Sequence, residues 1–120
     1  MVKLVFCCRR RPELSPEEFR RYWLERHGPL VRSLRGALPM MRRYVQSHTL
    51  EGPASDAVRA SRGAKEAYDG ITEVWFDSLE AMGSSSEAAL AAGKRLLEDE
   101  RTFIDLAASS VFLTEEHEIF

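Results

Sequence analysis

The chain has 120 residues, 44% of them hydrophobic and 30% charged, with a formal net charge of −2. This is the composition of a soluble globular domain, long enough to bury about two-thirds of the surface its unfolded form exposes. It is not the composition of a disordered protein, the slight acidity argues against a dedicated nucleic-acid binder, and no apolar run approaches the about 20 residues that span a bilayer.

The opening segment, Met1-Val2-Lys3-Leu4-Val5-Phe6-Cys7-Cys8, has a short apolar run without a basic leader or a small-residue cleavage site, so a strand over about Val2 to Arg9 is expected rather than a signal. Leu4 and Phe6 lie on one alternating set and Val5 and Cys7 on the other, which predicts burial on two faces. Neighbouring Cys7 and Cys8 would point to opposite faces, and neither has a CxxC partner, so both are read as free thiols of a cytoplasmic protein. The basic clusters Arg9-Arg10-Arg11 and Arg42-Arg43 read as solvated strand ends rather than a phosphate track.

A helix opens at Ser15-Pro16-Glu17-Glu18, where Ser15 is the N-cap, Pro16 fits the first helical position and Glu18 completes a capping box. Phe19, Trp23, Leu30 and Leu34 follow at helical spacing. A break or kink is expected at His27-Gly28-Pro29, because proline lacks the N–H that would bond the carbonyl of Glu25. Met41 to Thr49 reads as a second strand. Residues 51–67 form a long Gly-, Pro- and Ser-containing connection, a candidate lid in which Asp56 to Ala67 is a possible short helix.

Asp69 to Phe76 is the clearest strand, with Ile71 and Trp75 on one face and Val74 and Phe76 on the other, again predicting two buried faces. Ser78 starts one helical turn. A second capping box, Ser84 to Glu87, opens the last long helix, whose inner stripe is expected to be Leu90, Leu97 and Ile104 joined by Leu96 and Phe103. Ser110 to Thr114 closes the chain as a fourth strand. The order β-α-β-β-α-β predicts an α+β, ferredoxin-like fold: a four-stranded antiparallel sheet with two helices on one face. Two helices cover one face only, so a second copy packed on the other is the simplest way to bury it.

The segment Phe19-Arg20-Arg21-Tyr22-Trp23-Leu24-Glu25-Arg26-His27-Gly28-Pro29-Leu30-Val31 resembles the helix pattern of the EthD family, written F-x-x-Y/H-W-x-x-x-H-G-P-L-V. Arg43-Tyr44-Val45-Gln46 is similar to that family's second strand, Tyr68 to Phe76 to its third, and Phe103-Ile104-Asp105 to its last helix. The resemblance implies one EthD-like domain over residues 1–120 and a homodimeric α+β barrel with a pocket between sheet and helices. Proteins of this kind include one linked to bacterial ether degradation, polyketide cyclases, dehydratases, decarboxylases and muconolactone isomerases, and other branches bind haem. The likeness therefore spans several reactions.

Three residues could carry proton chemistry. His27 shares the apolar stripe of Phe19 and Trp23 and can titrate near neutrality, either as a general acid or base or as a structural histidine bonded to a free carbonyl at the kink, where the helix C-terminal dipole would favour its charged form. Glu73, between Ile71 and Trp75, is a proton relay or one half of an arginine pair. Tyr44 offers a phenol to a developing oxyanion, or is an aromatic core residue with a satisfied hydroxyl. Trp23, Trp75, Phe6 and Phe103 would wall a substrate pocket, with His48 at its edge, although each aromatic also fits an ordinary core.

The three histidines show no ligand spacing for a metal, and there is no glycine-rich nucleotide loop and no nucleophile elbow. The expectation is a cofactor-independent enzyme that moves a proton next to a carbonyl in a small, mostly apolar phenolic or polyketide-like substrate. His27 would act as base, Tyr44 would hold the oxyanion and Glu73 would orient His27, with residues 51–67 closing over the pocket. The alternatives are a non-catalytic dimer that binds a hydrophobic ligand or stabilises a partner, and a haem-binding protein using His27. Neither nucleic acid nor membrane is expected as a partner.

Overall fold

In the computed structural model, which describes residues 1–83 and 86–120, four strands form one antiparallel sheet in the order β2-β3-β1-β4. They are β1 (Val2–Cys8), β2 (Arg43–His48), β3 (Gly70–Phe76) and β4 (Ser110–Glu115). The helical elements are α1 (Pro16–Tyr22), a π turn (Trp23–His27), α2 (Gly28–Ser33), α3 (Pro53–Ala60), α4 (Leu79–Met82) and α5 (Glu87–Phe103), with short 3-10 turns at Arg35–Ala37 and Leu106–Ala108. This is the expected ferredoxin-like order; the turn expected after the third strand is α4, and the short helix expected over Asp56 to Ala67 lies earlier, at Pro53–Ala60.

The start of α1 follows from its side chains. Ser15 Oγ accepts from the Glu18 N–H at 3.1 Å, and Glu18 Oε1 accepts from the Ser15 N–H at 2.9 Å, so two otherwise orphaned donors are satisfied. At Pro29 the chain does not break. The helix widens into the π turn instead, with the Gly28 N–H donating to the Trp23 carbonyl, and Pro29 then sits in the first turn of α2, where its missing N–H is not needed.

Register decides which side chains meet. Tyr44 pairs with Val74, Thr72 with both Phe6 and Gln46, and Gly70 with both Cys8 and His48, which puts all of these on the helix-covered side. Lys3, Val5, Val45, Ile71, Glu73 and Trp75 share the opposite face. Along β3 only Gly70, Thr72, Val74 and Phe76 are buried; within one chain, the expected burial of both faces is not realised. Gly70 has no room for a side chain, because a Cβ there would run into the Trp23 ring, 2.6 Å from its Cη2, and lie 2.8 Å from the Ser47 carbonyl oxygen.

The helix-side core consists of two apolar clusters. One joins Cys8, Phe19, Trp23, Phe103 and Ile104, with Phe6 packed against it. The other joins Val31, Leu38, Ala89, Ala92 and Leu96, with Tyr44 packed against it.

The phase of α5 differs from expectation. Leu90 and Leu97 are 63% and 38% exposed, and the buried stripe is Ala89, Ala92, Leu96, Asp99 and Phe103. Two alanines at the contact let the helix lie close to its neighbours, while a scan for large side chains weights the leucines. Ser84, expected as the cap, lies outside the described residues. Ser86 caps α5, its Oγ accepting from the Ala89 N–H at 3.1 Å.

Candidate active site

His27 is the last residue of the π turn, and the widened turn directs its ring onto α5. It is 1% exposed and packs against the Phe103 ring at a centroid distance of 5.1 Å. Its Nδ1 lies 2.8 Å from Asp99 Oδ2. The other oxygen, Asp99 Oδ1, accepts from the Tyr22 hydroxyl at 2.5 Å. A carboxylate can only accept, which assigns the imidazole proton to Nδ1 and leaves the Nε2 lone pair bare. Among the described residues His27 is bonded through Nδ1 only.

Burial lowers the His27 pKa from its ordinary 6.5, against the opposing pull of Asp99. The ring is therefore neutral at pH 7, contrary to the expectation that a helix C-terminus would favour its charged form. The hydrogen bond to Asp99 is the main cause of a raised pKa at Tyr22.

Tyr44 lies on the same side of the sheet as His27. Burial is the leading cause of its strongly raised pKa, followed by the charge of Glu100 and then Cys8, while the Thr72 hydroxyl pulls the other way. Glu100 itself is pushed up to about 7 by burial and by the like charge of Asp99. Cys8 is pushed up to about 12, again chiefly by burial, and its thiol lies 3.9 Å from Thr72 Oγ1. Asp99, Glu100, Tyr22, Thr72 and Cys8 were not among the residues picked from the sequence. A correct phase for α5 exposes Asp99, since a carboxylate in the stripe Ala92, Leu96, Asp99, Phe103 calls for a partner.

The remaining expected residues divide between the two faces. Trp23 and Phe103 are fully buried in the first cluster, and Phe6 packs beside them. His48 stacks on Trp23 with centroids 4.4 Å apart and bonds Gln46 Oε1 at 2.8 Å, while Gln46 Nε2 donates to the Trp23 carbonyl at 2.8 Å. Glu73 and Trp75 lie on the opposite face. Glu73 pairs with Lys3 Nζ at 2.8 Å, and Trp75 lies between Lys3 and the Arg43 guanidinium, so Glu73 cannot orient His27 and Trp75 cannot wall its pocket. Strand alternation separates them, and Asp99 takes the orienting place given to Glu73.

The 51–67 segment does not cover His27. With Arg9, Arg10 and Arg20 it walls a separate cleft of about 430 Å³. Nor are Arg9 and Arg10 simple solvated ends: Arg10 Nη1 donates to the Leu14 carbonyl at 2.6 Å, and Arg9 Nη1 donates to the Ala67 carbonyl at 2.8 Å. Among the described residues no group of three or more His, Cys, Asp or Glu is placed to hold a metal ion. No helix among them is long and apolar enough to cross a membrane.

The family model described as the EthD domain matches residues 11–107, which includes the π turn, Tyr44 and Asp99. The chain belongs to the EthD family. No curated protein matches it. Among solved structures, an EthD-family protein from Bacillus halodurans is 20% identical, with a TM-score of 0.62 over 98% of this chain and 99% of that one. An EthD-like protein from Ralstonia eutropha is 21% identical, with a TM-score of 0.58 over 95% and 90%. A protein from Bacteroides fragilis, described as dimeric and of ferredoxin-like fold, is 14% identical with a TM-score of 0.60 over 96% and 95%. At these identities the likeness establishes the fold of this EthD chain and leaves its chemistry to its own residues.

Proposed function

We propose that this EthD-family chain is a cofactor-independent enzyme that moves a proton next to the carbonyl of a small, mostly apolar phenolic or polyketide-like compound. The observation that carries this reading is the Tyr22–Asp99–His27 chain of hydrogen bonds, which ends in a bare Nε2 on a neutral, buried imidazole. A base with a depressed pKa is unprotonated at pH 7 and ready to accept. Nε2 takes the proton from the carbon beside the carbonyl, and Asp99 stabilises the imidazolium that forms. The Tyr44 hydroxyl donates to the oxygen on which charge develops. Whether cyclisation, dehydration, isomerisation or decarboxylation follows depends on the substrate's leaving group.

The working unit in this reading is a cytoplasmic homodimer. Ile71, 37% exposed, lies on the open sheet face beside half-buried Val5, Val45 and Trp75, and a second copy packed there would cover them. The free thiols Cys7 and Cys8 fit a reducing compartment.

The test is exchange of the α-protons of 4-hydroxyacetophenone and related aryl ketones in D2O, followed by NMR. Wild type accelerates exchange, and His27→Gln reduces the acceleration at least about a hundredfold. No acceleration with any compound, or acceleration that His27→Gln leaves intact, contradicts the proposal.

A further inference from the structure

Glu100 occupies an inward position on α5 that the proton-transfer reading leaves unused. Leu96, Phe103 and Ile104, at −4, +3 and +4 from it, are 6%, 1% and 2% exposed, so the side chain at 100 leaves the helix toward the sheet. Its neighbour Asp99 accepts two hydrogen bonds, whereas the Glu100 carboxyl has no salt bridge or hydrogen bond among the described residues. The cations of the same helix, Lys94, Arg95 and Arg101, are all exposed. A half-buried carboxylate without a donor is costly, and protonation removes most of that cost.

The groups around it are neutral donors from three strands. Leu96, one turn before Glu100, belongs to the cluster against which Tyr44 of β2 packs, and Phe103 and Ile104, one turn after it, pack with Cys8 of β1, so Glu100 lies between the two; Thr72 Oγ1 on β3 is 3.9 Å from the Cys8 thiol. His27, neutral at pH 7, is held by Asp99 on the same helix. The cation whose charge reaches this group is Arg95, which acts on His27 from an exposed position on α5 and makes no ion pair with Glu100 among the described residues. Such a set suits a ligand that enters uncharged and becomes an oxyanion, rather than a carboxylate or phosphate.

We propose that Glu100, as the neutral carboxylic acid, is a second catalytic hydrogen-bond donor beside Tyr44, and that the two together hold the oxyanion of an enolate or phenolate. The assignment rests on the proton-transfer reading of the same site and names the oxygen-binding half of it. As His27 Nε2 takes the proton, the C–H electron pair becomes the C=C bond and the carbonyl π pair moves onto oxygen. The Tyr44 and Glu100 hydroxyls bond that oxygen, and reprotonation from His27 returns the proton, so no co-reactant is needed. A carboxyl raised to about 7 is mostly protonated at pH 6, and a protonated carboxyl in an apolar site can donate to an oxyanion in this way.

The experiment is titration of 4-nitrophenol, whose ionised form is coloured, into wild type, Glu100→Gln and Glu100→Leu at pH 6. Wild type is expected to bind and to enrich the ionised form. Glu100→Leu weakens binding about tenfold, and Glu100→Gln about threefold because its amide still donates. In wild type, the Glu100 carboxyl carbon, followed by NMR and assigned by its absence in Glu100→Gln, titrates near 7. This second readout does not depend on a variant that might misfold.

Absence of nitrophenolate binding, binding that both variants leave unchanged, or a carboxyl that titrates near its ordinary 4.5 overturns the assignment. Nitrophenolate bound through Glu100 without any α-proton exchange on the aryl ketones sinks the His27 base and leaves the oxyanion pair standing. Exchange that proceeds equally in Glu100→Leu sinks the Glu100 role alone.

Discussion

His27 Nδ1 and Asp99 Oδ2 lie 2.8 Å apart although they are 72 positions apart in sequence, and both side chains are buried. The contact fixes the tautomer of the imidazole and ties the π turn to the last helix. Its effect on chemistry separates from its effect on stability. Asp99→Asn keeps the shape, but its amide no longer fixes the same tautomer and supplies no charge for the imidazolium. We expect α-proton exchange to fall at least about a hundredfold and the His27 pKa to drop further. Asp99→Ala leaves the Tyr22 hydroxyl and His27 Nδ1 without their acceptor and should cost about 2–3 kcal/mol in urea unfolding.

Two groups of the site contribute to the pH dependence of stability with opposite signs. The folded pKa of His27 lies below its ordinary 6.5, so the unfolded chain takes up that proton first. Its contribution is present above pH 6.5 and is lost as pH falls through 6.5 toward the folded value. Glu100 is raised from 4.5 to about 7, so its contribution is present below pH 4.5 and is lost as pH rises to about 7. Urea unfolding at several pH values should show the stability of wild type relative to Glu100→Gln falling between pH 4.5 and 7, and flat above. A flat difference across that window contradicts a protonated Glu100 in the folded chain.

Gly70 is a packing constraint. An added Cβ runs into the Trp23 ring, 2.6 Å from its Cη2, and meets the Ser47 carbonyl at 2.8 Å, and the backbone oxygen cannot rotate away. Gly70→Ala should cost about 2–3 kcal/mol and redshift the emission of Trp23. Stability equal to wild type would mean that β3 and the π turn are further apart than described.

How much of this was legible in the sequence depends on which residue carried the signal. The capping box at Ser15 and Glu18, the alternation through β3 and the order of elements depend on local chemistry, and the structure repeats them. Pro29 signalled an irregularity, but its form, a π turn rather than a break, depends on packing of His27 and Trp23 against α5 and the sheet. Glu73 was misassigned because alternation gives two faces without saying which one the helices cover. Asp99 was missed because its partners, Tyr22 and His27, come from a distant helix, and because Leu90 and Leu97 suggested the wrong phase.

The open sheet face gives a prediction for assembly. Lys3 bonds Glu73 at 2.8 Å and lies over the Trp75 ring, at the centre of the surface assigned to the second copy. Lys3→Glu sets two carboxylates against each other there. Sedimentation should show wild type as a dimer and the variant shifted to monomer by tenfold or more in dissociation constant, roughly 1.4 kcal/mol or above. A variant as dimeric as wild type would move the interface elsewhere.

The most direct test of the account is the long-range 1H–15N spectrum of His27 at pH 7, assigned with His27→Gln. The expected result is a neutral ring with the proton on Nδ1, a bare Nε2 and a titration below 6.5, displaced when a bound aryl ketone reaches Nε2. An imidazolium at pH 7, or a neutral ring with its proton on Nε2, would contradict it, because neither form can accept a proton where the site presents its base.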